Sequence, residues 1–543
     1  MWDERIEKLK QQRARHAQGG GTEKIERQHA SGKLTAMERI GFLLDEGSFT
    51  EVRSCMETDR GADVSGTEKI YPGDGVITGW GTIDGRRVCV AAEDFTVVGG
   101  TLGAAHARKI AALQDLALDM RCPVIFLNDS GGARIGEGIN ALNGYGEIFQ
   151  RHVRSSGVIP QICAILGPCS GGACYSPALC DFIFVVKDVS KMFITGPAVV
   201  ESVLGSRPTL EELGGAQMHS EVSGVAHTLY LDERSCLEGI RKLLSYLPGN
   251  NQEACPHPAL GSTLSGSDSP AKHHPLAERA SRSSAEAVPL SSLVPDSARM
   301  VYDIHLVIER IMDPGEPVFE IQKHFAGNIV TGFSRLNGQV TGVIANQPLV
   351  KGGCLDCDAS DKLARFIRFC DCFGIPLLTL VDVSAFLPGK EQEQKGIIRH
   401  GAKILYAYAE ASVPKITVIL RKAYGGAYIA MNSRSLGADL VYAWPIAEVA
   451  VMGASGAVSI LNRQDIKNAP DPEARKKELE LAYEERFLNP DIAQARGYVD
   501  EVILPEETRD RLINSFAFLQ DKWKHARIAA GGGFGRSHGN IPL

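Results

Sequence analysis

Ile165-Leu166-Gly167-Pro168-Cys169-Ser170-Gly171-Gly172-Ala173 and Ile419-Leu420-Arg421-Lys422-Ala423-Tyr424-Gly425-Gly426-Ala427 are one passage written twice, 254 residues apart. In each, an apolar run reads as a buried strand that enters a Gly-Gly turn and then an Ala-containing, helix-capable segment. The register extends outward from there. Pro160 and Pro414 keep the same spacing. At 253 residues, Gly79, Gly85, Gly99, Gly100, Lys109, Pro123 and Asp129 meet Gly332, Gly338, Gly352, Gly353, Lys362, Pro376 and Asp382. Each half therefore builds the same backbone and sets the same turn at the same place.

The flanking sequence supplies the rest of the unit. Val76–Thr78 and Val88–Ala92 read as strands joined at Gly85, followed by a helix over 103–120. A strand over 123–127, a helix over 147–156 and strands at 161–166 and 182–186 complete it. The second half replays the series at 340–345, 361–373, 377–381, 397–411 and 416–420. Strands alternating with helices, the strands continuously apolar, predict an α/β fold with parallel pairing covered on both faces. Upstream, 1–18 reads as a charged helix broken at Gly19-Gly20-Gly21. The segment 35–45 places Met37, Ile40, Leu43 and Leu44 on one helical face. The expected division is a domain over 1–250, a Ser-, Pro- and His-rich linker over 251–297, and a domain over 298–543.

Composition excludes several classes. A net charge of -7 argues against nucleic acid or anionic membrane as the main partner, and no apolar run reaches a membrane span. The charged N-terminus is not a secretory signal, so a cytoplasmic location is expected. Thirteen cysteines, mostly inside apolar runs, read as reduced buried thiols. Cys354, Cys357, Cys370 and Cys372 have only an irregular version of zinc-knuckle spacing, and no metal is expected.

A strand running into Gly-Gly lets backbone N–H groups turn toward a ligand. Such donors stabilise an oxyanion by about 3–4 kcal/mol each. The alternative is that Gly-Gly merely permits tight strand–helix packing. Gly131-Gly132-Ala133-Arg134 ends another strand, where ligands bind in open α/β sheets. Arg134 suits either a ligand phosphate or carboxylate or a surface ion pair. No dinucleotide or Walker glycine pattern is present. His106, His219, His227 and His400 lack a nucleophile framework, and Asp129 and Asp382 read equally as turn formers. Oxyanion holes without a protein base point to a proton acceptor that arrives with the substrate.

Longer motifs now carry a family resemblance. They include Arg27–Thr35, Asp94-Phe95-Thr96-Val97, Asn128–Glu137, Ser156–Pro160 and Phe193–Pro197. Glu212–Ala216, Gly396–Ala402 and His538–Leu543 follow in order. The chain resembles the carboxyltransferase subunits of biotin-dependent acyl-CoA carboxylases, propionyl-CoA carboxylase β subunits among them, and their methylmalonyl-CoA decarboxylase relatives. The resemblance implies tandem ClpP/crotonase-like domains, usually in hexamers whose active site joins the N-domain of one subunit to the C-domain of its neighbour. It implies an acyl-CoA substrate, and biotin carried and carboxylated by partner subunits, a biotin carboxyl carrier and a biotin carboxylase. Biotin N1 would deprotonate the acyl α-carbon, and the enolate would attack CO2. By this analogy Gly171 and Gly172 serve the thioester, while Gly425, Gly426 and Ala427 serve biotin. Gly131, Gly132, Ala133, Arg134, Tyr428 and Ile429 would line the substrate.

Departures from the family pattern concentrate in the second copy. Ile429 replaces the Asp of propionyl-type enzymes, a position linked to acyl selectivity. Ser384 and Ala385 replace a Pro-Gly before Phe386, and Gly136 replaces a common Gln. An apolar branched side chain in place of a carboxylate reshapes a pocket, so a different acyl group is expected. Three other readings stay open: a decarboxylase subunit handing CO2 to biotin for a sodium pump, a cofactor-free crotonase-type enzyme using Glu137, and a silent scaffold.

Overall fold

The computed structural model describes residues 1–58, 71, 73–256, 288–529 and 538–542. The chain divides into two units, Met1–Ala254 with Phe534–Pro542, and Cys255–Gly533. The C-terminal residues 538–542 thus belong with the first unit, not the second. Asn540 explains it: its N–H donates to Ser156 Oγ at 2.9 Å and its side-chain amide to Asp181 Oδ1 at 2.9 Å. Of the expected linker, 257–287 lies outside the described residues. Its far end is packed, with Leu290 and Val294 buried in the core of the second unit.

The first unit holds one sheet. Its strands are β1 Thr50–Val52, β2 Val76–Ile83, β3 Arg86–Glu93, β4 Val124–Ser130, β5 Gln161–Ser170, β6 Phe182–Val186, β7 Lys191–Phe193 and β8 Thr228–Tyr230. Their order is β1-β2-β3-β4-β5-β6-β8, with β7 paired to the end of β5. The second unit repeats it with β9 Phe319–Glu320, β10 Ile329–Leu336, β11 Gln339–Asn346, β12 Leu377–Val383, β13 Lys415–Tyr424, β14 Leu440–Ala443, β15 Glu448–Ala450 and β16 Glu501–Val502. The order is β9-β10-β11-β12-β13-β14-β16, with β15 on β13. The first three strands of each sheet are antiparallel and the rest parallel. The parallel pairing read from the apolar runs therefore holds from β3 and β11 onward. The Gly85 and Gly338 turns are two-residue hairpins with positive φ at both residues, Asp84 and Gly85 in one and Asn337 and Gly338 in the other.

Central strands are buried along their whole length, as β4 and β12 show. Each fully buried Ile, such as Ile125 or Ile162, contributes about 1.5–3 kcal/mol. Helices Ala104–Met120 and Ile139–Ser155 cover the first sheet, and Cys357–Cys372 and Ile397–Glu410 the second. The helix expected at 147–156 starts eight residues earlier. Gly144 there faces Ala107 so closely that an added Cβ would lie 2.5 Å from the Ala107 Cβ. The helix at Ala36–Leu43 starts with a Thr35–Glu38 capping box and buries Ile40 and Leu43. Met37 departs from the expected face and is 45% exposed, whereas Arg39 is fully buried.

One equivalence falls outside the 253–254 register. Asp45 accepts from the Asp84 and Gly85 amides and pairs with Arg241 at 3.0 Å. Asp313 accepts from Asn337 and Gly338 and pairs with Arg509 at 2.6 Å. Each hairpin is thus capped by an Asp held by an Arg from a later helix.

Candidate active site

Both Gly-Gly turns form as the sequence predicts. Ser170 and Tyr424 end their strands in extended conformation, at φ -123° and -112°. The next residues, Gly171 and Gly425, swing to φ 62° and 58°. That abrupt reversal is open to glycine and strained for any side chain. Short helical turns follow at Gly171–Cys174 and Gly425–Ala430, whose first amides have no carbonyl partner within the turn. Gly171, Gly172 and Gly425 are half-buried, Gly426 is exposed, and Ala173 and Ala427 are buried. Opposite Gly425 stands the Val451 carbonyl, 3.1 Å from where a Cβ would sit, and opposite Gly171 the Ile194 carbonyl at 3.8 Å.

The supports behind the turns differ. Gly172 lies against the Tyr145 ring, 3.0 Å from an added Cβ, and Ser170 Oγ donates to Gly131 O at 2.9 Å. Behind Gly426 stands Phe386, whose ring also touches Gly401. At the register position of Ser170, Tyr424 instead donates its hydroxyl to Glu448 on β15.

The Gly131–Arg134 segment is a braced loop. Gly131 N–H donates to Gly99 O, Leu102 N–H to Gly132 O, and Arg134 N–H to Leu102 O, each at 2.9 Å. Gly132 takes φ 98°, and a Cβ there would lie 2.7 Å from Ser170 O. The second copy repeats the bracing with Leu355 N–H to Ala385 O and Leu387 N–H to Leu355 O. Ser384 and Ala385 are therefore the register partners of Gly131 and Gly132. Ala385 is not among the residues with positive φ, so this loop follows a different path at that point.

Arg134 sits at the centre of the first loop, 7% exposed. Its guanidinium pairs with Asp74 at 2.5 Å and Glu137 at 2.7 Å, and donates to Thr101 O at 2.8 Å. These partners form a buried ion-pair hub, not the surface pair that is one of its two sequence readings. Glu137 also accepts from the Ala104 N–H at 2.7 Å, so this carboxylate is engaged by a cation and a backbone amide. Gly136 lies between them in the turn Ile135–Glu137. Leu387 stands at the register position of Arg134 in the second copy, which therefore has no such hub.

Tyr428 is half-buried, and burial raises its phenol pKa, with Tyr498 adding to the effect. Ile429 is 45% exposed, as is its register partner Tyr175 at 50%. The four histidines hold structure: His106 contacts Asp74 O, His219 bonds Met192 O and Ser223, His227 accepts from Ile183 N–H, and His400 pairs with Asp361. Cys357 and Cys370 lie on one helix, about 20 Å apart by helical rise. No cluster of metal-ligating side chains gathers among the described residues.

Sequence reasoning missed the network behind β4. Asp129 receives Lys33 at 2.8 Å and Arg39 at 3.0 Å, and Arg39 also pairs with Glu233 at 2.7 Å. The available signal was Arg39 itself, four residues before the core position Leu43 and so on the same helical face. Asp382 in the second copy is met instead by Arg421 at 2.9 Å, from the adjacent strand.

Each copy thus sets one strand–turn arrangement with a loop braced beside it. The carboxyl transferase domain matches residues 27–530. The chain belongs to the carboxyl transferase family. It is 51% identical to the carboxyltransferase subunit of propionyl-CoA carboxylase from Haloferax mediterranei, over 100% of this chain and 99% of that one. It is 49% identical to the methylmalonyl-CoA decarboxylase α subunit of Propionigenium modestum, over 99% of each. Among solved structures it is similar to the transcarboxylase 12S hexamer with methylmalonyl-CoA bound. That likeness has a TM-score of 0.87 and 46% identity, over 96% of both chains. The fold is accordingly a tandem crotonase-like one. The chain is a biotin-dependent carboxyltransferase, the carboxyltransferase subunit of an acyl-CoA carboxylase. Among its described residues no helix is long and apolar enough to cross a membrane.

Proposed function

We propose that the chain moves a carboxyl group from carboxybiotin on a carrier protein to the α-carbon of an acyl-CoA. The observation that carries this reading is the paired reversal at Gly171 and Gly425, with φ of 62° and 58° in equivalent places. Carboxyl transfer to a thioester develops negative charge on two carbonyl oxygens, the thioester's and the biotin urea's, and two amide-lined turns match that need. Gly171 and Gly172 receive the thioester oxygen; Gly425, Gly426 and Ala427 receive the urea oxygen. The base is the biotin N1 that loses the carboxyl, as the family resemblance implies, and Glu137 is occupied by Arg134 and the Ala104 amide. Arg134 acts through the fold: it holds the Gly131–Ala133 loop in position beside the first turn.

Biotin reaches the site on a biotin carboxyl carrier, recharged by a biotin carboxylase, in the cytoplasm. Six copies assemble, as in the transcarboxylase 12S relative. Tyr428 and Ile429 face the acyl group, and Ile429 in place of a carboxylate favours an acyl group other than propionyl. A second reading runs the transfer backwards, from a methylmalonyl-type ester to biotin, and the decarboxylase relative at 49% identity favours it.

The test offers the protein a carboxylated biotin carrier with acyl-CoAs from acetyl to long-chain, read by mass spectrometry. Carboxylated acyl-CoA is expected, and Ile429→Asp should shift relative kcat/KM between chain lengths by about tenfold or more. An unchanged profile removes Ile429 from selectivity, and no product with any acyl-CoA removes the forward reading. Carboxylation of carrier biotin by methylmalonyl-CoA, without the forward reaction, would establish the reverse one.

A further inference from the structure

Glu93 ends β3 directly behind the first site and is 5% exposed. Its Oε2 accepts from the Asp129 N–H at 2.9 Å, at the strand end that leads into Gly131–Arg134. In the second copy the register partner is Asn346. Its Oδ1 accepts from the Asp382 N–H at 3.2 Å and its Nδ2 donates to Gly353 O at 2.9 Å. The position thus calls for one acceptor and one donor. A carboxamide supplies both, and so does a protonated carboxylic acid; a carboxylate supplies acceptors alone.

A partner for that donor is in place. His106 Nδ1 lies 3.0 Å from Asp74 O, a pure acceptor, so Nδ1 carries the ring hydrogen and Nε2 is a bare lone pair. His106 is fully buried, and Nε2 has no hydrogen-bond partner. It stands 3.8 Å from Glu93 Oε1, a gap that a shift of about 1 Å closes to a hydrogen bond.

We propose that Glu93 is a positioning residue that works as the neutral acid, donating its carboxyl proton to His106 Nε2 while holding the Asp129 amide. The other groups around it agree. Arg39 is the cation acting on Glu93, and its guanidinium is spent on Glu233 and Asp129. Asp129 adds negative charge, Asn128 offers its side-chain amide, and Tyr145, Cys163 and Cys169 face the carboxyl from the covering helix and β5. The cavity beside it, about 10 Å³, holds at most one water and cannot hydrate a carboxylate. Burial pushes the Glu93 carboxyl up to about 8, against the pull of the Asp129 N–H. Burial, with Arg134 and Lys109, holds His106 neutral by lowering its pKa.

A raised carboxyl pKa means the stabilising neutral form is complete below the unfolded value and is lost as pH rises through about 8. The protonation state stands on the geometry together with the burial of Glu93, while its effect on rate rests on the carboxyltransferase reading. The test therefore has two readouts. Infrared difference spectra of wild type against Glu93→Gln should show a protonated-carboxyl stretch at pH 7 that fades by pH 9.5. Wild-type kcat should fall about tenfold between pH 7 and 9, whereas Glu93→Gln, which copies the amide of Asn346, keeps its rate across that range. His106→Phe removes the acceptor and should move the alkaline fall to lower pH. No carboxyl band at pH 7, or a Glu93→Gln protein with an unchanged alkaline fall, overturns the proposal. A band without transfer in any variant leaves Glu93 as proposed and counts against the function instead.

Discussion

The loop beside the first Gly-Gly turn is held by charge and the one beside the second by packing, although one backbone plan builds both and each repeated Asp meets an arginine. Around Gly171 the neighbouring loop is fixed by Arg134 between Asp74 and Glu137, and Asp129 by Lys33 and Arg39. Around Gly425 the register partner of Arg134 is Leu387, and Phe386 fills the space behind the turn. A buried ion-pair hub tolerates no loss of one member, whereas an apolar contact degrades gradually. The first copy is therefore expected to be the more rigid and the more exacting, and the second the place where side chains can change with the substrate. Ser384, Ala385 and Ile429 are all in the second copy.

The largest expected effect breaks the first copy. Arg134→Leu, which imports the second copy's residue, leaves Asp74 and Glu137 buried without their cation. It should cost about 3–5 kcal/mol in denaturant unfolding. A cost below about 1 kcal/mol would mean that the hub is not what separates the copies.

Substitution of the turn glycines sharpens the comparison. Gly171→Val and Gly425→Val should each lower transfer about 10²–10³-fold, since a side chain at these φ values displaces the amides. The two should differ in a partial reaction: decarboxylation of the carboxybiotin carrier without acyl-CoA should survive Gly171→Val and fail in Gly425→Val. The opposite pattern would exchange the ligands assigned to the two turns.

The smallest effect concerns the hairpin caps. Asp45 is held down at about 2 by the Gly85 amide, Thr82, Arg241 and the Asp84 amide, against its partial burial. A lowered carboxyl pKa gives stability that is present above about 4 and lost as pH falls through about 2. The group is half-buried at the surface, so after screening Asp45→Asn should change stability by less than about 1 kcal/mol at pH 7. It should also flatten the acid limb of thermal unfolding between pH 4 and 2. An acid limb that matches wild type would show that the cap carries no linkage.

Much of the fold was legible because its signals are local. Buried strands of 5–10 residues announce themselves as apolar runs, and the turns at Gly85, Gly171 and Gly425 need residues that accept positive φ. The helix at Ile139–Ser155 exceeds the span its sequence predicts because Gly144 and Gly146 lower helix propensity. Close packing of Gly144 on Ala107 outweighs that cost, and no local window contains both residues. Local sequence does not decide between ligand and ion pair for Arg134 for a related reason: Asp74 is 60 residues away in sequence.

The sequence alone determined the duplication, the strand–turn–helix order and the two glycine reversals, since each follows from periodicity and backbone sterics within a few residues. Tertiary structure decided how each copy is held. Arg39 meets Glu233 across 194 residues, and Glu93 meets His106 from a different element. The caps Asp45–Arg241 and Asp313–Arg509 match across the copies without sharing the sequence register. Charges buried at such separations find partners only when the chain returns. Whether a buried acid sits beside a cation or a bare lone pair then fixes its protonation and its work.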